Sequence, residues 1–347
     1  MGRVLRFVAP RRVDVVEEPL PDIGPDDVRV RTLFSGISAG TELSAYRGTN
    51  PYLTRRWDMV QTLFLDPAAA GPSYPLTGWG YSEVGRVAEV GPSVTAFAPG
   101  DIVWGTWGHR TEAVLGGSAL RGHGMPRGVD PRTGTFVRVA SVALNAVFNT
   151  QIGIGSVVGV VGLGVIGLLA TRFAVLSGAT VIGIDPIASR RARAASWGAA
   201  CVLAPASSVA AEVRAMTDGR GADVALELSG SSAALHDAIR LVGPEGVVVA
   251  SGFYQGEASG LRLGEEFHHN RVRLQSSQIG AVPPQLAARW TRDRLVLAAA
   301  ERVLAGDPDA VSLVSHTFAL DDAADAYALL DQRGHEALQV LFAMEAR

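Results

Sequence analysis

The stretch Val157-Val158-Gly159-Val160-Val161-Gly162-Leu163-Gly164-Val165-Ile166-Gly167-Leu168-Leu169 decides the fold. An apolar strand runs into three glycines spaced G-x-G-x-x-G, and an apolar helix follows at once. Each glycine has a distinct task. Gly162 permits the tight turn, Gly164 lets backbone approach a pyrophosphate, and Gly167 lets helix and sheet pack closely. Val165 and Ile166 open the helix, so their free N–H groups face the phosphate charge. With 40 glycines in the chain the spacing alone is weak; its strand–turn–helix setting gives it meaning. The next apolar run ends in Asp185, 18 residues beyond Gly167, where a carboxylate can accept from the adenine ribose hydroxyls. A 2′-phosphate there would meet like charge, which favours NAD and makes NADP the alternative. Arg190 and Arg191 follow, either as phosphate ligands, as the solvated start of a helix, or as a flat surface for the adenine.

Moving outward, apolar runs and alanine-rich helical stretches alternate. The predicted strands are Ser156–Val161, Val181–Ile184, Cys201–Leu203, Val224–Leu228, Val247–Ala250 and Val272–Gln275. The predicted helices are Val165–Ser177, Ser189–Trp197, Ser208–Met216 and Ser232–Leu241. Unbroken apolar strands with helical crossovers describe an α/β Rossmann domain, a doubly wound parallel sheet. Ligands sit beyond the carboxyl ends of such strands, so Ser229, Gly252 and Phe253 are expected to line the nicotinamide half of the site. Phe253 and Tyr254 have ordinary packing as their other reading.

Residues 1–138 read as mostly β, with short runs at Val13–Glu18, Val28–Phe34, Glu83–Val90, Ile102–Gly105 and Thr111–Leu115 between turn signals. The stretch Arg47–Thr77 departs from that rhythm as a long loop carrying Tyr52, Arg55, Arg56 and Trp57 beside Tyr46. Arginine forks and aromatic faces there suit an anionic or sugar-like ligand, or else surface packing. After 279 come a helical stretch Pro284–Leu304, a strand Val311–Phe318, a helix from Asp321 and a last strand Leu338–Ala343. The division predicted is 1–138, completed by 279–347, and 139–278 for the dinucleotide domain.

Composition narrows the function. The 347 residues are 48% hydrophobic and 19% charged, which fits a protein with large cores. The net charge of −3 gives no footprint for nucleic acid. All 31 basic residues are arginine, so lysine Schiff-base chemistry and a Walker-type loop are excluded. The single cysteine, Cys201, forbids an internal disulfide and a four-cysteine zinc site. The apolar run Val157–Thr171 is short and broken by glycines, so no membrane span is expected. The N-terminus shows no signal-peptide pattern, and a cytoplasmic location is expected.

The whole chain resembles the medium-chain dehydrogenase/reductase superfamily. The resemblance rests on Phe34–Ser38, Gly85–Gly91, Pro99–Val103, Gly162–Gly167 and Phe318–Tyr327. It implies a GroES-like β-rich catalytic domain joined to the Rossmann domain, with the C-terminus returning to the first. The zinc alcohol dehydrogenases of that superfamily carry a cysteine after a Ser-Gly-Ile turn, then a histidine–glutamate pair, then a third ligand. Here those positions hold Ser38, the pair Tyr81-Ser82, and a stretch Ser141–Thr150 with only Asn145 and Asn149. Ala39 is inserted before Gly40-Thr41-Glu42. Zinc wants thiolate, imidazole and carboxylate, so the resemblance is to a zinc-independent branch. That branch includes bacteriochlorophyllide hydroxyethyl dehydrogenases and sorbitol- or threonine-dehydrogenase-like proteins.

Without a metal, protein groups must polarise the carbonyl. Tyr81 is the candidate acid/base, Thr41 its partner, and Ser38 and His109 further candidates at the former metal position. Glu42 is expected at the domain interface or in solvent, and His109 beside the substrate or on the surface. Of His268-His269 at most one can face the site. The function implied is an NAD-dependent alcohol dehydrogenase or ketoreductase acting on a small-molecule secondary alcohol, without metal. An NADPH-dependent enone or quinone reductase and an inactive NAD-binding protein are the alternatives. A homodimer is expected.

Overall fold

The apolar run at 157–161 becomes a strand buried along its whole length, because helices cover both faces of the sheet it centres. A computed structural model describes residues 1–66 and 73–344 of the chain. It resolves into two units, Val139–Pro308 and the pair of segments Met1–Arg138 with Asp309–Arg347. The return to the first unit therefore comes at Asp309, not at 279. The reason is the helix Arg292–Leu304, whose following Asp307 is gripped by Arg172 at 2.7 Å and by Arg302 at 2.9 Å inside the second unit.

In the second unit six parallel strands lie in the order Cys201–Leu203, Thr180–Ile184, Val157–Val161, Ala222–Glu227, Val242–Ala250 and Arg273–Ser276. The order reverses beside Val157–Val161, which is the switch point of a doubly wound sheet. The helices Val165–Leu176, Ala188–Ser196, Val209–Met216 and Ser232–Leu241 are the crossovers. A further helix, Val137–Phe148, leads into this unit; no element was expected there from the sequence. The expected helix Pro284–Leu304 is shorter: a 3-10 turn at Pro284–Leu286, then a helix from Arg292 capped by Thr291.

In the first unit the strand Asp27–Gly36 pairs antiparallel with Glu83–Val90, Glu112–Gly116 and Gln339–Ala343. Ile102–Gly105 extends the sheet on one side and Val314–Ala319 on the other. Gly2–Ala9 forms a ladder with Arg12–Glu18; Arg3 and Arg6 had hidden the first of these strands in the sequence. The helix Ala39–Arg47 was also unforeseen in a region read as β. The stretch from Arg47 to Thr77 is less irregular than expected. It holds a 3-10 turn, Pro51–Leu53, and a hairpin of Arg56–Asp58 with Leu63–Leu65; its residues 67–72 lie outside the described ones. Among the described residues no helix is long and apolar enough to cross a membrane.

A polar network lies inside the first unit. Glu42 is fully buried and accepts from His109 Nε2 at 2.8 Å, from the Ser38 backbone N–H at 2.7 Å and from the Tyr327 hydroxyl. The other ring nitrogen of His109 meets Ser35 Oγ at 2.6 Å, and Ser35 donates on to Glu83 at 2.9 Å. Burial alone would depress the His109 imidazole, but the charge and hydrogen bond of Glu42, then Glu83, hold it above its ordinary value. Burial pushes Glu83 up, against the opposing charge of His109. Tyr327 also packs on Phe7 and stacks on Tyr46, with centroids at 5.1 and 5.3 Å, so the C-terminal helix Ala323–Gln332 is keyed into this core by both ends of one side chain.

Two stability tests follow. A Cβ on Gly167 would stand 1.9 Å from the Gly162 carbonyl oxygen, whereas one on Gly164 would meet nothing within 4 Å. Gly167→Ala is expected to destabilise by about 1–3 kcal/mol in urea unfolding, and Gly164→Ala to leave the midpoint unchanged. In the first unit Glu42→Ala strands His109 and is expected to cost about 3–5 kcal/mol. Because the folded-state pKa of His109 is raised, its contribution is complete below the ordinary imidazole value of about 6.5 and is lost as pH rises through the raised one. The stability gap between wild type and His109→Gln should therefore narrow with rising pH; a gap that widens would refute the assignment.

Candidate functional site

The glycine-rich turn of the second unit is built as the sequence implied. Gly162 has φ +89°, and a Cβ on it would meet the Ser229 backbone nitrogen at 2.8 Å. Gly164 is the N-terminal flank of the helix Val165–Leu176, and no side chain caps it. The first N–H in that helix to find a carbonyl of its own turn is Leu168, bonded to Gly164 O at 2.9 Å. The N–H groups of Val165, Ile166 and Gly167 thus precede the first intrahelical bond, in front of space that a Cβ at 164 would begin to fill. A pyrophosphate fits this cradle in size, charge and donor direction.

Asp185 ends the neighbouring strand as expected, but it is 3% exposed and braces the turn itself. Its two oxygens accept from the backbone N–H of Leu163 and of Ile187, each at 2.8 Å. One lone pair on each oxygen is left for ribose hydroxyls. Arg191 turns its Nη1 onto the Asp185 and Pro186 carbonyls at 2.7 and 2.9 Å, which draws it into closing the loop rather than onto a phosphate. Arg190 sits in the first turn of the helix Ala188–Ser196.

At the ends of the next two strands the expected lining residues divide. Phe253 is 42% exposed and available to a ligand. Ser229 is not: its hydroxyl and its N–H both go to the buried Glu227 carboxylate. Glu227 also takes the Gly230 N–H at 3.2 Å and the Tyr254 hydroxyl. Burial, then the Glu227 hydrogen bond and charge, raise the Tyr254 phenol far above its ordinary value, so it is a fixed strut. Gly252 is glycine because a Cβ there would stand 2.3 Å from the Gly230 nitrogen. Sequence reasoning missed Glu227 as the organiser, although a carboxylate closing a buried apolar strand was a visible signal. It also missed two buried atoms without a protein partner near neighbouring strand ends, Ser251 Oγ and Asn145 Oδ1. Asn145 reaches Gln278 O at 3.2 Å, just past the strand Arg273–Ser276.

In the first unit the structure brings Ser38, Thr41 and Tyr81 together. The Tyr81 hydroxyl bonds Ser38 Oγ and lies 3.5 Å from Thr41 Oγ1. Ser38 is the N-terminal flank of the helix Ala39–Arg47, and its N–H is held by Glu42 one turn on. Burial raises the Tyr81 phenol, and the Glu42 charge adds to this, against hydrogen bonds from Ser38 and Thr41 and the charge of Arg138. His109 does not join the cluster. Both its ring nitrogens are spent on Glu42 and Ser35, and its side chain is 0% exposed. Glu42 likewise is not in solvent, because its carboxylate is the centre of the buried network of the first unit.

The remaining candidates are committed elsewhere. Tyr46 is core, and Arg47 pairs with Asp331. Arg55 and Arg56 face Asp66 and Asp58, at 3.2 and 3.4 Å, and Trp57 and Tyr52 pack on Phe64. His268 and His269 are exposed and meet edge to face, and His269 Nδ1 lies 3.1 Å from the Glu265 carbonyl. Zinc does not fit at Ser38 and Tyr81. The donors gathered there are neutral hydroxyls, and the imidazole behind them is bonded to the Glu42 carboxylate and, through Ser35, to that of Glu83.

Comparison with known proteins agrees with this construction. A family model described as zinc-binding dehydrogenase matches residues 165–292. D-guloside 3-dehydrogenase of Shigella flexneri is 29% identical over 340 residues, covering 96% of this chain and 97% of its own. Among solved structures, 2R,3R-butanediol dehydrogenase from Bacillus subtilis superposes with a TM-score of 0.78 at 20% identity, covering 99% of this chain and all of that one. A Sinorhizobium meliloti dehydrogenase bound to NADP also gives 0.78, at 24% identity and 99% coverage of both. Shared fold over the full length, a family model that matches 165–292 and the glycine-rich turn all support the resemblance to the medium-chain dehydrogenase/reductase superfamily.

Proposed function

We propose that the protein is an oxidoreductase of the alcohol dehydrogenase type that interconverts a secondary alcohol and its ketone with NAD(H) and without zinc. The observation that supports this reading is the grouping of the neutral hydroxyls of Ser38, Thr41 and Tyr81, residues that the family resemblance aligns with or beside metal-ligand positions. The bound nicotinamide supplies or accepts the hydride. Gly162–Gly167 and the helix behind them hold the pyrophosphate, Asp185 the ribose, and Phe253 packs against the nicotinamide half. NADP remains the second reading for the cofactor, favoured by the S. meliloti neighbour. A sugar-like or polyol substrate is supported by the similarity to D-guloside 3-dehydrogenase.

Tyr81 is the proton donor. A phenol raised above its ordinary value stays protonated at neutral pH, so it polarises a carbonyl and gives up its proton only as the alkoxide forms. Ser38 and Thr41 orient it and can return a proton.

Three outcomes test the reading. Tyr81→Phe should lower turnover by roughly 10²–10³ while NADH affinity stays within error. Dialysis against a chelator should leave turnover unchanged; loss of activity restored by zinc would overturn the metal-free assignment. NADH should bind more tightly than NADPH in fluorescence titration. Asp185→Asn should narrow that ratio by about tenfold or more, since a hydrogen bond to a charged group is worth about 1.5–3 kcal/mol. Tighter NADPH binding by the wild type would refute the role given to Asp185.

A further inference from the structure

His236 lies on the helix Ser232–Leu241 of the second unit and is 7% exposed. Its Nδ1 is buried with no protein partner, and so is Oε2 of Glu266. Leaving such atoms unpaired is costly, and two in one place ask for a common ligand. The residues that approach them are chemically suited to one. His236, Glu265 and Glu266 each present a donor atom within 4.8 Å of the other two. In a regular helix successive side chains diverge, so adjacent glutamates do not converge on one point. Here the turn Leu263–Phe267 is broken at Glu265, with φ −93° and ψ −126°, and both carboxylates reach the same place.

Each carboxylate also has an outer partner. Arg240 Nε holds Oε1 of Glu266 at 3.3 Å and leaves Oε2 free to ligate. Arg262 lies 3.4 Å from Oε1 of Glu265, in an exposed pair that can swing aside. His269 Nδ1 lies near the Glu265 carbonyl and not its carboxylate. A carboxylate fixed by an arginine on one oxygen and open on the other is how outer contacts orient a metal ligand. One imidazole and two carboxylates suit zinc or manganese(II), with water completing the shell.

We propose that His236, Glu265 and Glu266 form a divalent-metal site, separate from the hydride-transfer chemistry, that ties the segment after Tyr254 to the helix Ser232–Leu241. The test is calorimetric titration of chelator-stripped full-length protein with ZnCl₂ and, separately, MnCl₂, followed by thermal unfolding with and without the ion. The expected result is one equivalent bound by at least one of the two ions, with Tm rising by a few degrees at saturation. Glu265→Gln changes an exposed residue and should leave the apo-protein Tm unaltered. It should weaken binding by about tenfold or more, because even outer-shell changes cost that much. His236→Gln should abolish the Tm rise. No binding of either ion to the wild type would overturn the proposal. So would binding that persists undiminished in both variants, which would place the ion elsewhere.

Discussion

One buried carboxylate, Glu42, joins three parts of the first unit that are far apart in sequence. It faces His109 across 67 residues and Tyr327 across 285, and it holds the Ser38 turn from inside. A lone buried anion would be prohibitive, so each of these partners is required by the others. The proton arithmetic is tight. The Ser35 hydroxyl has one hydrogen and stands between Glu83 and His109. If it donates to Glu83, both ring nitrogens of His109 carry protons; if it donates to His109, Glu83 must hold the proton. The two arrangements have the same net charge, and either keeps every partner satisfied. The helix Ala39–Arg47 begins where this network fixes it, and that beginning determines where Ser38 and Thr41 present their hydroxyls to Tyr81.

The second unit is organised by backbone proximity and two more carboxylates. Gly167 packs against the Gly162 carbonyl so closely that no side chain fits, and this fixes the helix against the strand. Asp185 ties the Gly162–Gly167 turn to the next strand's exit, and Glu227 ties the Ser229–Gly230 loop to Tyr254. Both acids close strands at the carboxyl edge of the sheet, where carboxylates can accept the N–H groups that the ladder leaves unpaired. The dinucleotide surface is thus braced from within the protein, with Gly164 left open.

How much of this could be read in the sequence depended on range. The strand–glycine–helix signal is local, and continuous apolar strands follow from burial on both faces, so the doubly wound parallel sheet was legible. The Ala39–Arg47 helix was not, because Gly40, Thr41 and Ser44 are poor helix formers and its stability comes from packing and from Glu42. The grouping of Ser38, Thr41 and Tyr81 was reached only through the family resemblance; their separation of about 40 residues carries no periodicity. His109, expected beside the substrate or on the surface, is instead buried, because nothing near it in the sequence announces the carboxylates at 42 and 83. Arg47, Arg55 and Arg56 suggested an anion site, but their aspartate partners lie up to hundreds of residues away or just along the hairpin.

The chemistry that the hydroxyl cluster can perform follows from its electrostatic setting. A dication stabilises an alkoxide outright, whereas a phenol can only share a proton with it. Such a donor works when it is protonated before the reaction and placed where water cannot compete. Burial and the Glu42 charge both favour the neutral phenol at Tyr81, and Ser38 and Thr41 restrain its direction. The same negative charge opposes formation of the tyrosinate. The network that stabilises the first unit therefore also keeps the Tyr81 phenol neutral, so that it meets any acceptor beside it as a hydrogen-bond donor and not as an anion.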